Sequence, residues 1–228
     1  MIHSASSNLT QRLASITERM IAISTGAGLP AAELVAVSKI QPDDRIVAAL
    51  DAGQRVFGEN RVQEAQTRWA DRRAQFGDLK LHLIGPLQTN KVDAALNLFD
   101  VIETLDRPKL ARALAKGQTK TGRKPHVLIQ VNTGEESQKA GVLPTDLASL
   151  VEEARALDLD VCGLMCIPPV EEPAGAHFAL LAKLARAHGL KRLSMGMSGD
   201  FETAIKFGAT HIRVGSALFG DRVASAGG

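Results

Sequence analysis

The chain has 228 residues, room for one large domain or two small ones, and at that length folding hides roughly 70–75% of the unfolded chain's surface, so neither a disulfide nor a structural metal is needed. Its 27 Lys and Arg against 25 Asp and Glu leave a formal charge of +2, with no long run of like charge, which argues against a nucleic-acid or polyanion binder but leaves acidic small molecules open. With 45% hydrophobic and 23% charged residues the composition is that of a folded globular protein, and the absence of tyrosine excludes a phenol as acid or base.

The opening MIHSASSNLTQRL has no basic region followed by an apolar stretch, and no apolar run approaches the roughly 20 residues of a membrane span, so a cytosolic protein is expected. The amphipathic stretch 8–23 reads as a helix ahead of the first strand. Short β-branched or apolar runs then alternate with longer amphipathic ones, the pattern of parallel strands joined by crossover helices. Candidate strands are 34–39, 55–60, 81–87, 101–106, 126–132, 161–168, 192–197 and 211–215. Helical patterns follow at 42–53, 61–77, 89–99 and 107–117, at 144–159 with Pro144 and Thr145 in its first positions, and at 201–208. Gly53, Gly77, Gly117 and Gly208 read as helix stops. Eight such units in little more than 200 residues imply a single (β/α)8 barrel domain with its core over about 8–222 and a frayed Gly227–Gly228 tail. An open doubly wound sheet is the rival, though it seldom needs eight evenly spaced units.

Barrels of this kind keep their chemistry at the C-terminal ends of the strands. The first strand ends in Lys39, on the face of Val35 and Val37, which puts an amine above an apolar layer at the barrel mouth. A solvated loop lysine is the bland alternative, but desolvation at such a mouth would lower its pKa and free it to attack a carbonyl. Asn60 ends the second strand on the face of Gly58, where it either offers an amide to a ligand or caps the following helix, while Glu59 pairs outside the barrel. The loops SMGMSGD (194–200) and RVGSALFG (213–220) supply glycines and hydroxyls ahead of helices, the makings of a phosphate cradle from Ser198, Gly215 and Ser216. Ser198 as a simple N-cap and Gly215 as a turn glycine are the alternatives. Arg213 shares a strand face with His211 and Gly215, and either pairs with a barrel acid or points its guanidinium at a planar ligand's acceptor nitrogen. An amine, a phosphate cradle and an arginine around one mouth suggest pyridoxal phosphate. Cys162 and Cys166, four residues apart on one strand, would stand roughly 13 Å apart, too far for a disulfide. No metal-ligand pattern stands out.

The segments AVSK (36–39), GENRVQEA (58–65), HLIGPLQTNK (82–91), VNTGEESQKAG (131–141), GLMCIP (163–168), LSMGMSGDFETAI (193–205) and RVGSALFG (213–220) together resemble the pyridoxal phosphate homeostasis protein family. The resemblance implies one barrel of the alanine-racemase N-domain type, the third fold type of pyridoxal-phosphate proteins, with Lys39 holding the cofactor as an internal aldimine. It likewise implies that Ser198, Gly215 and Ser216 bind the phosphate, Arg213 faces the pyridine nitrogen and Asn60 lies beside the ring. Arg61 stands where the family often has tyrosine, and Ser216 where it often has threonine. Gln88, Lys91 and Lys139 match the family motifs without a chemical role of their own.

A related racemase uses a lysine on one cofactor face and a tyrosine from a second domain on the other. With no tyrosine and no second domain expected, the reading is a non-catalytic monomer that binds, buffers and delivers pyridoxal phosphate, with apo-enzymes that use the cofactor as partners, without nucleic acid or membrane. The rivals are a slow amino-acid racemase-like enzyme with Lys39 as sole base, and a cofactor-free isomerase or aldolase in which Lys39 attacks a sugar phosphate.

Overall fold

The computed structural model describes residues 2–220, with the side chains of residues 8–220. The expected end of the core near 222 and the terminal glycines lie outside that range. Helix α1 (Ile2–Gly26) leads into β1 (Glu33–Val37), α2 (Asp43–Asp51), β2 (Val56–Glu59), α3 (Val62–Gln75), β3 (Lys80–Leu83), α4 (Val92–Leu98), β4 (Val101–Leu105) and α5 (Pro108–Thr121). The second half continues with β5 (His126–Gln130), α6 (Leu147–Ala156), β6 (Val161–Met165), α7 (Ala174–Ala187), β7 (Arg192–Ser194), α8 (Phe201–Lys206), β8 (His211–Val214) and α9 (Ser216–Phe219). A 3-10 turn, Thr89–Lys91, precedes α4. All eight strands are parallel, and β8 pairs back onto β1 through Leu34 with Ile212 and Val35 with Arg213, closing the barrel. The open-sheet rival is thereby excluded.

Strand alternation divides the apolar residues between two layers. Ile102, Val127, Ile129 and Leu164 face outward and join the helices in the main core, with Trp69, Phe99, Phe178 and Phe201 among its largest members. Val101, Leu128 and Met165, one residue out of phase, form a separate small cluster inside the barrel. The N-terminal helix belongs to the outer layer: Leu9, Ile16 and Met20 of α1 are buried, and Arg19 reaches Glu202 of α8 at 2.5 Å.

Three local readings need correction. The ladders stop earlier than the apolar runs, β1 at Val37 and β7 at Ser194, although just past them the Ser38 N–H still donates to the Gly58 carbonyl and the Met195 N–H to the His211 carbonyl, both at 3.1 Å. Helix α6 begins at Leu147, three residues past Pro144. Helix α5 runs through Gly117 and ends at Gly122, whose left-handed backbone (φ 68°) sends its N–H to the Gln118 carbonyl. Gly117 is instead a contact glycine, since a Cβ there would lie 2.6 Å from Leu96 Cδ1 of α4. Gly53 and Gly208, with φ of 91° and 90°, follow their helices as expected.

Candidate functional site

Lys39, Asn60, Ser198, Arg213, Gly215 and Ser216 line one cavity of about 280 Å3 at the C-terminal end of the barrel, just below the usual range of roughly 300–1,000 Å3 for small-molecule sites. Ile84, Ile167 and Met197 supply apolar walls. Lys39 stands two residues past β1, half-buried, with Val37 in the same cavity wall as alternation requires.

Asn60 follows β2 directly, and its Oδ1 is buried with no hydrogen-bond partner among the described residues. It does not cap α3, whose N-cap is Arg61. Glu59 turns the other way and is fully buried against α3, accepting from Ser38 Oγ at 2.7 Å and from Trp69 Nε1 and Arg68 Nη1 at 2.9 Å. All three donors, one a permanent cation, converge on Oε1, while the buried Oε2 has no hydrogen-bond partner among the described residues.

The two hydroxyl loops meet. Ser198 Oγ accepts from the Ala217 N–H at 3.3 Å, tying the loop after β7 to the turn after β8. Ser198 is therefore not an N-cap: α8 starts at Phe201 behind Asp200, whose Oδ1 accepts from the Met197 N–H at 2.6 Å. Gly215 has φ of −112°, and a Cβ there would meet Val37 only at an ordinary 3.5 Å. Neither backbone conformation nor internal packing demands glycine at 215, which leaves the cavity side as its reason. Because α8 spans six residues and α9 four, little aligned dipole is available, and anion binding here falls to individual N–H and O–H donors.

Arg213 is 4% exposed. It lines the cavity and reaches a barrel acid through a hydroxyl: Nη1 donates to Ser194 Oγ at 2.8 Å, and Ser194 donates to Glu103 Oε2 at 2.5 Å. Nη2 donates to the Cys166 carbonyl at 2.8 Å. The other Glu103 oxygen accepts from His82 Nδ1 at 2.6 Å. Burial alone would push the Glu103 carboxyl up, but the His82 hydrogen bond and charge, the Arg213 charge and the Ser194 hydroxyl bring it down to about 2. Arg213 is thus fixed in place by an ionised acid deeper in the barrel. Sequence reasoning missed Ser194, Glu103 and His82 as supports, although polar residues in the middle of barrel strands were the available signal.

Both cysteines are free of disulfides, and burial pushes the Cys162 thiol up to about 11 and Cys166 up to about 12, which disfavours the nucleophilic thiolate. Lys139 pairs with Glu136 at 2.6 Å in its own loop. Gln88 and Lys91 line a neighbouring cavity. Among the described residues no cluster of metal-ligating side chains occurs, and no helix is long and apolar enough to cross a membrane.

Residues 12–223 match the model of the alanine racemase N-terminal domain family. The chain is 41% identical over 209 residues to the pyridoxal phosphate homeostasis protein of Vibrio cholerae, covering 86% of this chain and 88% of the relative. The namesake from Escherichia coli is 37% identical over 231 residues, covering 94% and 97%. The chain belongs to the pyridoxal phosphate homeostasis protein family. Among solved structures, PipY of Synechococcus elongatus with PLP bound superposes with a TM-score of 0.81 at 38% identity, covering 93% of this chain and all of PipY. A histidine racemase from Leuconostoc mesenteroides, 18% identical with a TM-score of 0.71, shares the barrel alone over 58% of its length. The residues present fit the group bound in that family member: a half-buried amine, an orphaned amide oxygen, a glycine that packing does not require and two hydroxyls converge on one cavity.

Proposed function

We propose that this protein binds pyridoxal 5'-phosphate in the cavity above β1 and β8, and that it stores and releases the cofactor without turning over amino acids. Lys39 is the covalent anchor, Ser198, Gly215 and Ser216 hold the phosphate, Arg213 faces the pyridine nitrogen and Asn60 lies beside the ring. The convergence of these six side chains and backbone positions on one 280 Å3 cavity carries the reading. The names of the relatives and the PLP-bound PipY support it. When bound, the cofactor supplies an aldehyde carbon that condenses reversibly with an amine, so one group serves both capture and release.

The carrier half rests on proton inventory. Among the described residues lining the cavity, Lys39 and Arg213 are the only titratable ones, and the chain has no tyrosine. Arg213 never gives up its proton, and its two terminal nitrogens already donate to Ser194 and Cys166. It therefore supplies no proton to the ring nitrogen, which weakens the ring as an electron sink. A second acid–base group facing Lys39 across the cavity is lacking among those lining residues.

The test is to load the purified protein with pyridoxal phosphate, reduce with borohydride and map the added mass. An adduct on the Lys39 peptide is expected, and a protein that takes up no cofactor overturns the reading. Incubation with single L- and D-amino acids addresses the carrier half, which falls if turnover clearly exceeds that of free cofactor.

A further inference from the structure

Next to the cofactor cavity, between the loops after β2 and β3, lies a second and larger one of about 600 Å3, whose lining includes Asn60, Arg61, Gln63, Leu87, Gln88 and Lys91. No acidic side chain is among the residues that line it. Arg61 is paired with Glu64 at 3.0 Å, but that pair is exposed, with 75% and 42% of the two side chains open to water, and such pairs are easily traded for a better anion. Lys91 is half-buried and forms no ion pair among the described residues. Helix α3 starts at this wall, and its N-cap, Arg61, makes no side-chain cap, so the first N–H groups of a 14-residue helix add to the positive field. Gln88 and Gln63 add amide donors. Asn60 forms part of the wall of both cavities.

We propose that this second cavity binds a small molecule through a carboxylate or phosphate group, and that its occupancy is felt in the neighbouring cavity through Asn60. The binding half stands by itself; the coupling half rests on the cofactor reading above. Two cations and three amides around a cavity with no acidic lining residue define a site for a compact oxyanion, and the room beyond that group accommodates the rest of a metabolite. Arg61 gives the site a planar fork suited to either oxyanion.

The binding half is tested on the cofactor-free protein, following backbone amide NMR shifts while sodium acetate and inorganic phosphate are titrated separately at constant ionic strength. The amides of Arg61, Gln88 and Lys91 are expected to move in at least one arm. Movement with acetate alone assigns a carboxylate ligand, with phosphate alone a phosphorylated one, and phosphate filling the Ser198 cradle is told apart by shifts at Gly199, Gly215 and Ser216. Arg61→Gln and Lys91→Gln should each weaken binding about tenfold. Glu64→Gln, which releases Arg61 from its exposed partner, should tighten it, an effect that a merely structural role does not produce. Silence of the three amides in both arms, or affinities that ignore all three substitutions, overturns the proposal. Lys39→Ala should bind the anion normally, so failure to load cofactor leaves this result standing. For the coupling half, release of cofactor from the loaded protein is followed by its visible absorbance with and without the anion; a change of about twofold or more is expected, and identical rates remove the link through Asn60.

Discussion

At the residue scale the site separates anchoring from support. Lys39 lies in a loop beyond the β1 ladder, so Lys39→Ala should abolish the borohydride adduct while moving the unfolding midpoint little, within about 0.5 kcal/mol. Urea titration beside mass mapping checks both; broad unfolding of the variant would make Lys39 structural. Arg213→Ala has the opposite profile. It strands the Ser194 hydroxyl and the Cys166 carbonyl and takes a positive neighbour from the buried Glu103, so a loss of about 3 kcal/mol or more is expected, with weaker cofactor binding. Unchanged urea stability would show that the guanidinium is not part of the barrel's charge balance. Lys39 and Arg213 were legible in the sequence because strand alternation and strand ends fix where side chains point. Glu103 and His82 were not, because Glu103 reaches Arg213 through Ser194 and His82 through Glu103, relations that spacing along the chain does not encode.

At the element scale the alternation of strands and helices was enough to identify the closed barrel, whereas boundaries were not legible, since buried apolar residues such as Met195 continue past the ladder ends. Gly117 shows the limit: its place near a helix end suggested a stop, yet the contact of α4 with α5 is what requires it. Gly85 makes the same point at the site. A Cβ on it would lie 2.7 Å from Asn60 Cα, so the turn after β3 sets the position of the segment that carries Asn60 and opens α3. Gly85→Ala should therefore cost about 1–3 kcal/mol by overpacking and also weaken cofactor binding, although residue 85 does not line the cofactor cavity. Denaturation paired with a cofactor titration checks this; a variant that loses stability but keeps full affinity would separate Gly85 from the placement of Asn60.

At the scale of the whole molecule, charge buried inside the barrel makes stability a function of acidity. Glu103 titrates near 2 in the folded protein against an ordinary 4.5. The unfolded chain therefore holds more protons than the native one between those values, so the contribution is complete above about pH 4.5 and disappears as pH falls through about 2. A shift of that size corresponds to about 3 kcal/mol. Two further carboxyls act with the same sign. Glu33 is held low chiefly by its hydrogen bond to His211. Asp100, which burial alone would raise, is brought low by Arg73 at 2.9 Å and by the Leu81 N–H at 2.8 Å. Urea unfolding from pH 7 to pH 2.5 should accordingly show a steep loss below pH 4.5. Glu103→Gln should be less stable at pH 7, because Arg213 loses its counter-charge and His82 its carboxylate acceptor, and its stability should fall less from pH 7 to pH 2.5. If the variant keeps the same acid slope, the acid sensitivity lies in the outer carboxyls, and the buried chain from His82 through Glu103 and Ser194 to Arg213 does not set the pH range over which the barrel, and the cavity at its mouth, stays formed.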